Sequence, residues 1–270
     1  MPFYPLFNIN ENSGFVQLAN FPPNNWEKAS KGERNVFSFI SDGNQWNVNH
    51  HGKIFEDEFS TFKTTDFVFE KPIEQNGVFI EELMLFEMRN DLLSSHLDAL
   101  PSSDLHSTHW PEWRATIGFD SFNSRVSYQG EIIPTPPKAT LLTFHPFIQF
   151  DDIKNYLVFL NIEQSPVHRW SEIEIYLSGS GEIIDSKKIR NNAANILPLD
   201  EYGFKPDDLP VFYCKSMAGI PFGFGKSIST GMLSLEHTHP PGSFTFYGNR
   251  MTAQRDIKAS WVNHLQIKKL

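Results

Sequence analysis

Between Ser171 and Ile189 the chain reads SEIEIYLSGSGEIIDSKKI, and this strict alternation constrains the fold more than any other stretch. Ile173, Ile175 and Leu177 fall on one face of an extended strand, and Glu172, Glu174 and Tyr176 fall on the other. One face therefore enters a core and the opposite face meets water. Gly179-Ser180-Gly181 supplies a turn tolerant of positive φ, and Glu182 to Ile189 returns as an antiparallel partner. On this reading Ile175→Asp destabilises strongly, because it buries an unpaired charge, whereas Glu174→Ala is nearly silent.

Other short extended runs recur along the chain: RNVFSFIS at 34–41, DFVFE at 66–70, RATIGF at 114–119 and RVSYQGEII at 125–133. ATLLTFHPFIQF at 139–150 and NYLVFLNI at 155–162 are apolar on both faces, as strands covered on both sides would be. Pro146 bends the first or places it at a sheet edge. The 25 Phe and 18 Pro fit many short strands divided by proline-bearing turns. Helix signals are few. Ile80, Leu83, Met84, Met88, Leu92, Leu97 and Leu100 form an i, i+3, i+4 stripe closed by Pro101. Ala253, Ile257 and Trp261 form a second ladder after Asn249, a candidate N-cap.

The expected fold is thus mostly β, an antiparallel β-sandwich of jelly-roll or Ig-like type with one or two covering helices. The cluster Pro134-Thr135-Pro136-Pro137 marks the expected boundary. Residues 1–135 read as a loop-rich β region with one helix near 80–100. Residues 136–270 read as a compact sandwich with a short C-terminal helix.

Charge and composition narrow the function classes. The net charge is −9 and the 23 basic residues never form a run, which disfavours nucleic acid and anionic membrane surfaces. No segment approaches the roughly 18 apolar residues of a membrane span. MPFYPLFNINENSGF carries neither a basic n-region nor an apolar h-region. Cys214 is the only cysteine, so no internal disulfide forms, and the expected compartment is the cytoplasm. Cys214 lies in the apolar run VFYC, where an inert core thiol is expected.

Three segments invite chemistry. In GMLSLEHTHPPG, at 231–242, His237 and His239 lie two apart and would share a face of a strand, as ligands of one divalent transition metal can. The spacing G-x5-H-x-H resembles the opening of the first cupin motif, with Gly231, His237 and His239 matching. That resemblance implies a metal-dependent enzyme. The acidic ligand expected a few residues later is replaced by Pro240, Pro241, Gly242, Ser243 and Phe244. A third ligand would come from elsewhere, for example His145, His50 or His51. No cofactor beyond such a metal is implied.

GIPFGFGKS, at 219–227, ends like a phosphate-binding loop, but Ile220 stands where that motif needs glycine. Pro221 removes a backbone N–H and no helix opening follows, so a glycine loop between strands is the better reading. In HSTHWPEWRA, Trp110 and Trp113 flank Pro111, with His109 and Arg114 nearby, as a stacking platform for a sugar ring would be arranged. Trp46, set among Asn44, Gln45, Asn47 and Asn49, has the same character. Tryptophans that plug the ends of a sandwich would look alike at this level. Two functions follow as expectations: a non-catalytic binding protein recognising a glycan or a protein partner, or a cupin-like metal enzyme using His237 and His239.

Overall fold

The computed structural model describes residues 3–20, 34–66, 78–84, 95–101, 115–129, 132, 134–144, 151–205 and 208–237, with 256, 260 and 263. These residues are mostly β, in antiparallel sheets packed as sandwiches. The chain divides into two compact units. The first comprises Met1–Pro134, Ile162–His168 and Asn192–Ala194, and the second Thr135–Asn161, Arg169–Asn191 and Asn195–Leu270.

In the first unit, one sheet holds β1 (Phe3–Leu6), β3 (Arg34–Ser41), β4 (Trp46–Ile54), β6 (Val78–Met84) and β7 (His96–Leu97). Its order is β1-β6-β3-β4-β7. The other sheet holds β2 (Ser13–Asn20), β5 (Glu58–Lys63), β8 (Thr116–Asp120) and β9 (Arg125–Gln129), in the order β5-β2-β8-β9. Tyr4, Leu6, Val36 and Ile54 of the first sheet meet Val16, Leu18 and Ile117 of the second in one buried cluster. Each such side chain contributes about 1.5–3 kcal/mol by leaving water.

The segment 162–168 is tied into this unit by backbone and side-chain bonds. Gln164 O accepts from Trp46 Nε1 at 3.0 Å and from Leu100 N at 2.9 Å, and Ser41 Oγ donates to Pro166 O at 2.5 Å. Asn192 Oδ1 accepts from Glu163 N at 2.7 Å, and Asn192 Nδ2 donates to Ser165 O at 2.8 Å.

The helix expected over 80–100 does not form where the structure describes it, since Val78–Met84 is strand β6. It pairs with β1 through Phe3↔Glu81 to Leu6↔Val78 and with β3 through Arg34↔Met84 to Phe39↔Phe79. Ladders on both sides satisfy more of the backbone than one isolated helical turn could. Residues 85–94, the centre of the expected helix, lie outside the described residues.

In the second unit, one sheet holds β10 (Leu141–Phe144), β12 (Trp170–Leu177), β13 (Ile183–Arg190) and β15 (Pro210–Cys214), in the order β10-β15-β12-β13. The other holds β11 (Ile153–Asn161), β14 (Ala193–Pro198), β16 (Ile220–Ser227) and β17 (Leu233–His237), in the order β14-β11-β16-β17. Ile173, Ile175, Phe212 and Cys214 from the first sheet pack with Leu157, Phe159 and Leu197 from the second. β11 is buried along both faces from Asn155 to Asn161. The β12–β13 hairpin turns through Gly181, whose φ is 68° and whose N–H donates to Leu177 O at 2.7 Å.

Two local expectations change here. Tyr176, placed in water by simple alternation, is fully buried with Val211 and Tyr213, so the second face of β12 is covered at that end. GIPFGFGKS is a strand, β16, in place of the expected loop. Phe222 and Phe224 are buried, and Gly223 and Gly225 stand opposite Leu157 and Asn155 on β11. A Cβ at Gly225 would collide with Ser234 Oγ. At the C-terminus, Asp256, Ser260 and Asn263 are helical and exposed.

Candidate functional site

The outward side of the first unit's β5-β2-β8-β9 sheet carries an ordered row of polar side chains. Residues directly opposite in antiparallel strands share a face. Gln17 stands opposite Thr61 on β5 and Thr116 on β8, and Thr116 stands opposite Gln129 on β9. Thr61, Gln17, Thr116 and Gln129 therefore form one straight row across four strands. The alternate residues Val16, Leu18 and Ile117 point the other way into the core, which leaves this row facing out. Thr61 and Gln129 are exposed, and Gln17 and Thr116 are half-buried, as flat central-strand side chains are. Gln17 Nε2 donates to Thr61 Oγ1 at 3.2 Å. Phe59 stands beside this row opposite Ala19 and is 58% exposed, a large apolar ring in water.

The other end of the same face is a closed ionic cluster. Arg125 Nε and Nη2 donate to the two oxygens of Asp120 at 2.5 and 2.9 Å, and Lys63 Nζ donates to Asp120 Oδ2 at 3.1 Å. Arg125, first, and then Lys63 hold the Asp120 carboxyl below its ordinary value. The guanidinium also lies 4.7 Å from the centre of the Phe15 ring. Phe15 stands directly opposite Gly118, and a Cβ there would come within 2.5 Å of Phe15 Cζ. Glycine at 118 is what lets the ring lie across the strand.

The residues singled out from sequence fare differently. Trp46 is fully buried, with Nε1 bonded to Gln164 O, so it is a core plug and presents no ring face to a ligand. Trp110, Trp113, Arg114 and His109 lie outside the described residues, as do His145 and His239. His237 ends β17 opposite Phe222, and its side chain lies outside the described residues. His50 Nε2 bonds Asn35 Oδ1 at 3.1 Å and its ring stacks 4.8 Å from Phe37. His51 Nε2 bonds Ser38 Oγ at 2.7 Å, and burial, then the charge of His50, push its imidazole down. Among the described residues no three His, Cys, Asp or Glu side chains are grouped to hold a metal ion. Cys214 is fully buried, with Sγ 3.2 Å from Ser171 Oγ.

Sequence reasoning missed the exposed Trp170 of the second unit's β12–β13 hairpin. Trp170 is 51% exposed and lies 4.7 Å beneath Lys188 Nζ, measured to the ring centre. Farther along this face Tyr176, Val211 and Tyr213 are buried. Beside Trp170, Glu172 stands opposite Lys188, and Glu174 accepts from Tyr176 Oη at 2.6 Å and Lys215 Nζ at 3.2 Å. The polar groups of this corner are engaged with one another, as Gln17 and Thr61 are in the row of the first unit.

These features define a mostly β protein of two sandwich-like units, one carrying, among the described residues, a row of neutral hydrogen-bonding side chains on the outer face of a sheet. No family model, curated protein or solved structure matches the chain. Among the described residues no helix is long and apolar enough to cross a membrane.

Proposed function

We propose that this chain is a non-catalytic binding protein of the cytoplasm that recognises a glycan on the outer face of the β5-β2-β8-β9 sheet. The observation that carries the reading is the row Thr61, Gln17, Thr116 and Gln129, four neutral donor-acceptor side chains in line across four strands. Amides and hydroxyls both donate and accept, which suits sugar hydroxyls that do the same. Phe59 offers an exposed apolar ring beside them, as the apolar face of a pyranose requires. The cytoplasmic assignment rests on the single, buried cysteine and the acidic composition. Trp110, Trp113, His109 and Arg114 are a second locus for the same ligand class.

The test is retention on a panel of immobilised glycans, with a double variant Gln17→Ala, Gln129→Ala and a second double variant Trp110→Ala, Trp113→Ala. The reading expects a retained glycan and at least tenfold weaker retention of the first variant. A glycan retained equally by the first variant but lost by the second would move the site to the tryptophan segment. Retention of no glycan, with capture of a peptide or protein instead, would overturn the glycan reading.

A further inference from the structure

We infer that the ligand is an internal stretch of an uncharged, extended polysaccharide lying perpendicular to the strands, about one sugar ring per strand. This rests on the glycan reading above and adds the ligand's charge, shape and direction. Direction comes from register: Thr61↔Gln17, Gln17↔Thr116 and Thr116↔Gln129 are successive direct partners, so the polar row crosses the sheet at right angles to the chain. Neighbouring strands lie about 4.8 Å apart, which gives the row a length of roughly 14 Å. A pyranose ring with its glycosidic oxygen advances a straight chain by a similar step, so each ring meets one of the four side chains.

Shape follows from the same geometry. The row is flanked by Ala19 and Phe59 on one side and, on the other, by Gly118, Ser127, the flat-lying Phe15 and Lys63, whose Nζ is turned onto Asp120. Among the described residues no wall stands at either end of this strip, which suits the middle of a ribbon. Charge follows from the cluster at Asp120. Arg125 and Lys63 both bind that carboxylate, and Asp66 Oδ2 accepts from the Lys63 backbone N–H at 2.8 Å. Two cations and two carboxylates balance there, and the row itself carries no charge, so among the described residues nothing on this face selects an acidic sugar.

Titration calorimetry with linear β-1,4-linked gluco-oligosaccharides of increasing length is the test. Affinity is expected to rise at least tenfold from two rings to four and then level off. Chemical reduction of the terminal sugar of a hexamer should leave affinity within twofold, as should raising salt tenfold. A dimer that binds as tightly as a tetramer, or loss of binding on reducing the chain end, would overturn this inference while leaving a glycan function standing. Preference for a uronate polymer of equal length would overturn the charge assignment. If none of these sugars binds and the glycan panel is also blank, the underlying reading fails with it.

Discussion

Phe15 lies between Gly118 and Arg125: its ring spans a position with no side chain, and the guanidinium sits 4.7 Å from its centre. Asp120 holds that guanidinium from the side with two hydrogen bonds. An aromatic laid over a strand glycine recovers packing that the glycine forgoes. Gly118→Ala would drive a methyl into Phe15 Cζ and the Val126 backbone carbonyl. The expected cost is about 1–3 kcal/mol, read as a lower denaturant midpoint with an unchanged slope. A stability equal to that of the parent would show that Phe15 does not lie over this position.

On the second unit's core, Ile175 is fully buried and Ile175→Asp is expected to cost about 3–5 kcal/mol, enough to unfold a marginal unit. Glu174→Ala is not the silent change that alternation alone implies. Its carboxylate accepts from Tyr176 Oη and Lys215 Nζ, so removing it is expected to cost about 1 kcal/mol. Equal losses from the two variants, measured by chemical denaturation, would contradict the assigned inward face.

The hairpin was legible because every residue from Ser171 to Leu177 alternates and glycine marks the turn, so local pattern and global fold agree. Tyr176 was misplaced because alternation reports which residues share a face and says nothing of whether the second face is covered. In β16 the pattern Phe222-Gly223-Phe224-Gly225 is itself period two, but its glycines read as loop until β11 is seen opposite them. β6 failed for a different reason. Ile80, Leu83 and Met84 satisfy helical spacing, and only pairing with β1 and β3, distant in sequence, decides for strand. The polar row had no sequence signature at all. Gln17, Thr61, Thr116 and Gln129 come from four segments, and register alone puts them in line.

Acid stability offers a prediction away from the binding face. Asp185 accepts from Tyr202 Oη and, at 2.9 Å, from Lys187 Nζ, which also bonds Glu201 at 2.7 Å. The Tyr202 hydroxyl, first, and Lys187 hold the Asp185 carboxyl down to about 2, from an ordinary 3.8. A carboxylate with a depressed folded value binds protons more readily when unfolded. Its contribution is therefore complete above pH 3.8 and disappears as pH falls towards about 2. Asp185→Asn should be less stable than the parent at neutral pH, and the gap should close across that window in denaturation series. A gap that stays constant with pH would contradict the assigned cluster.

The central claim is that glycan contacts the neutral row on the outer face of the first unit. The most direct measurement follows the side-chain amide signals of Gln17 and Gln129 by two-dimensional NMR during titration with a linear neutral oligosaccharide. The account predicts that both amides shift progressively and saturate together, while the indole signal of buried Trp46 stays in place. Saturable binding that moves neither glutamine would contradict it.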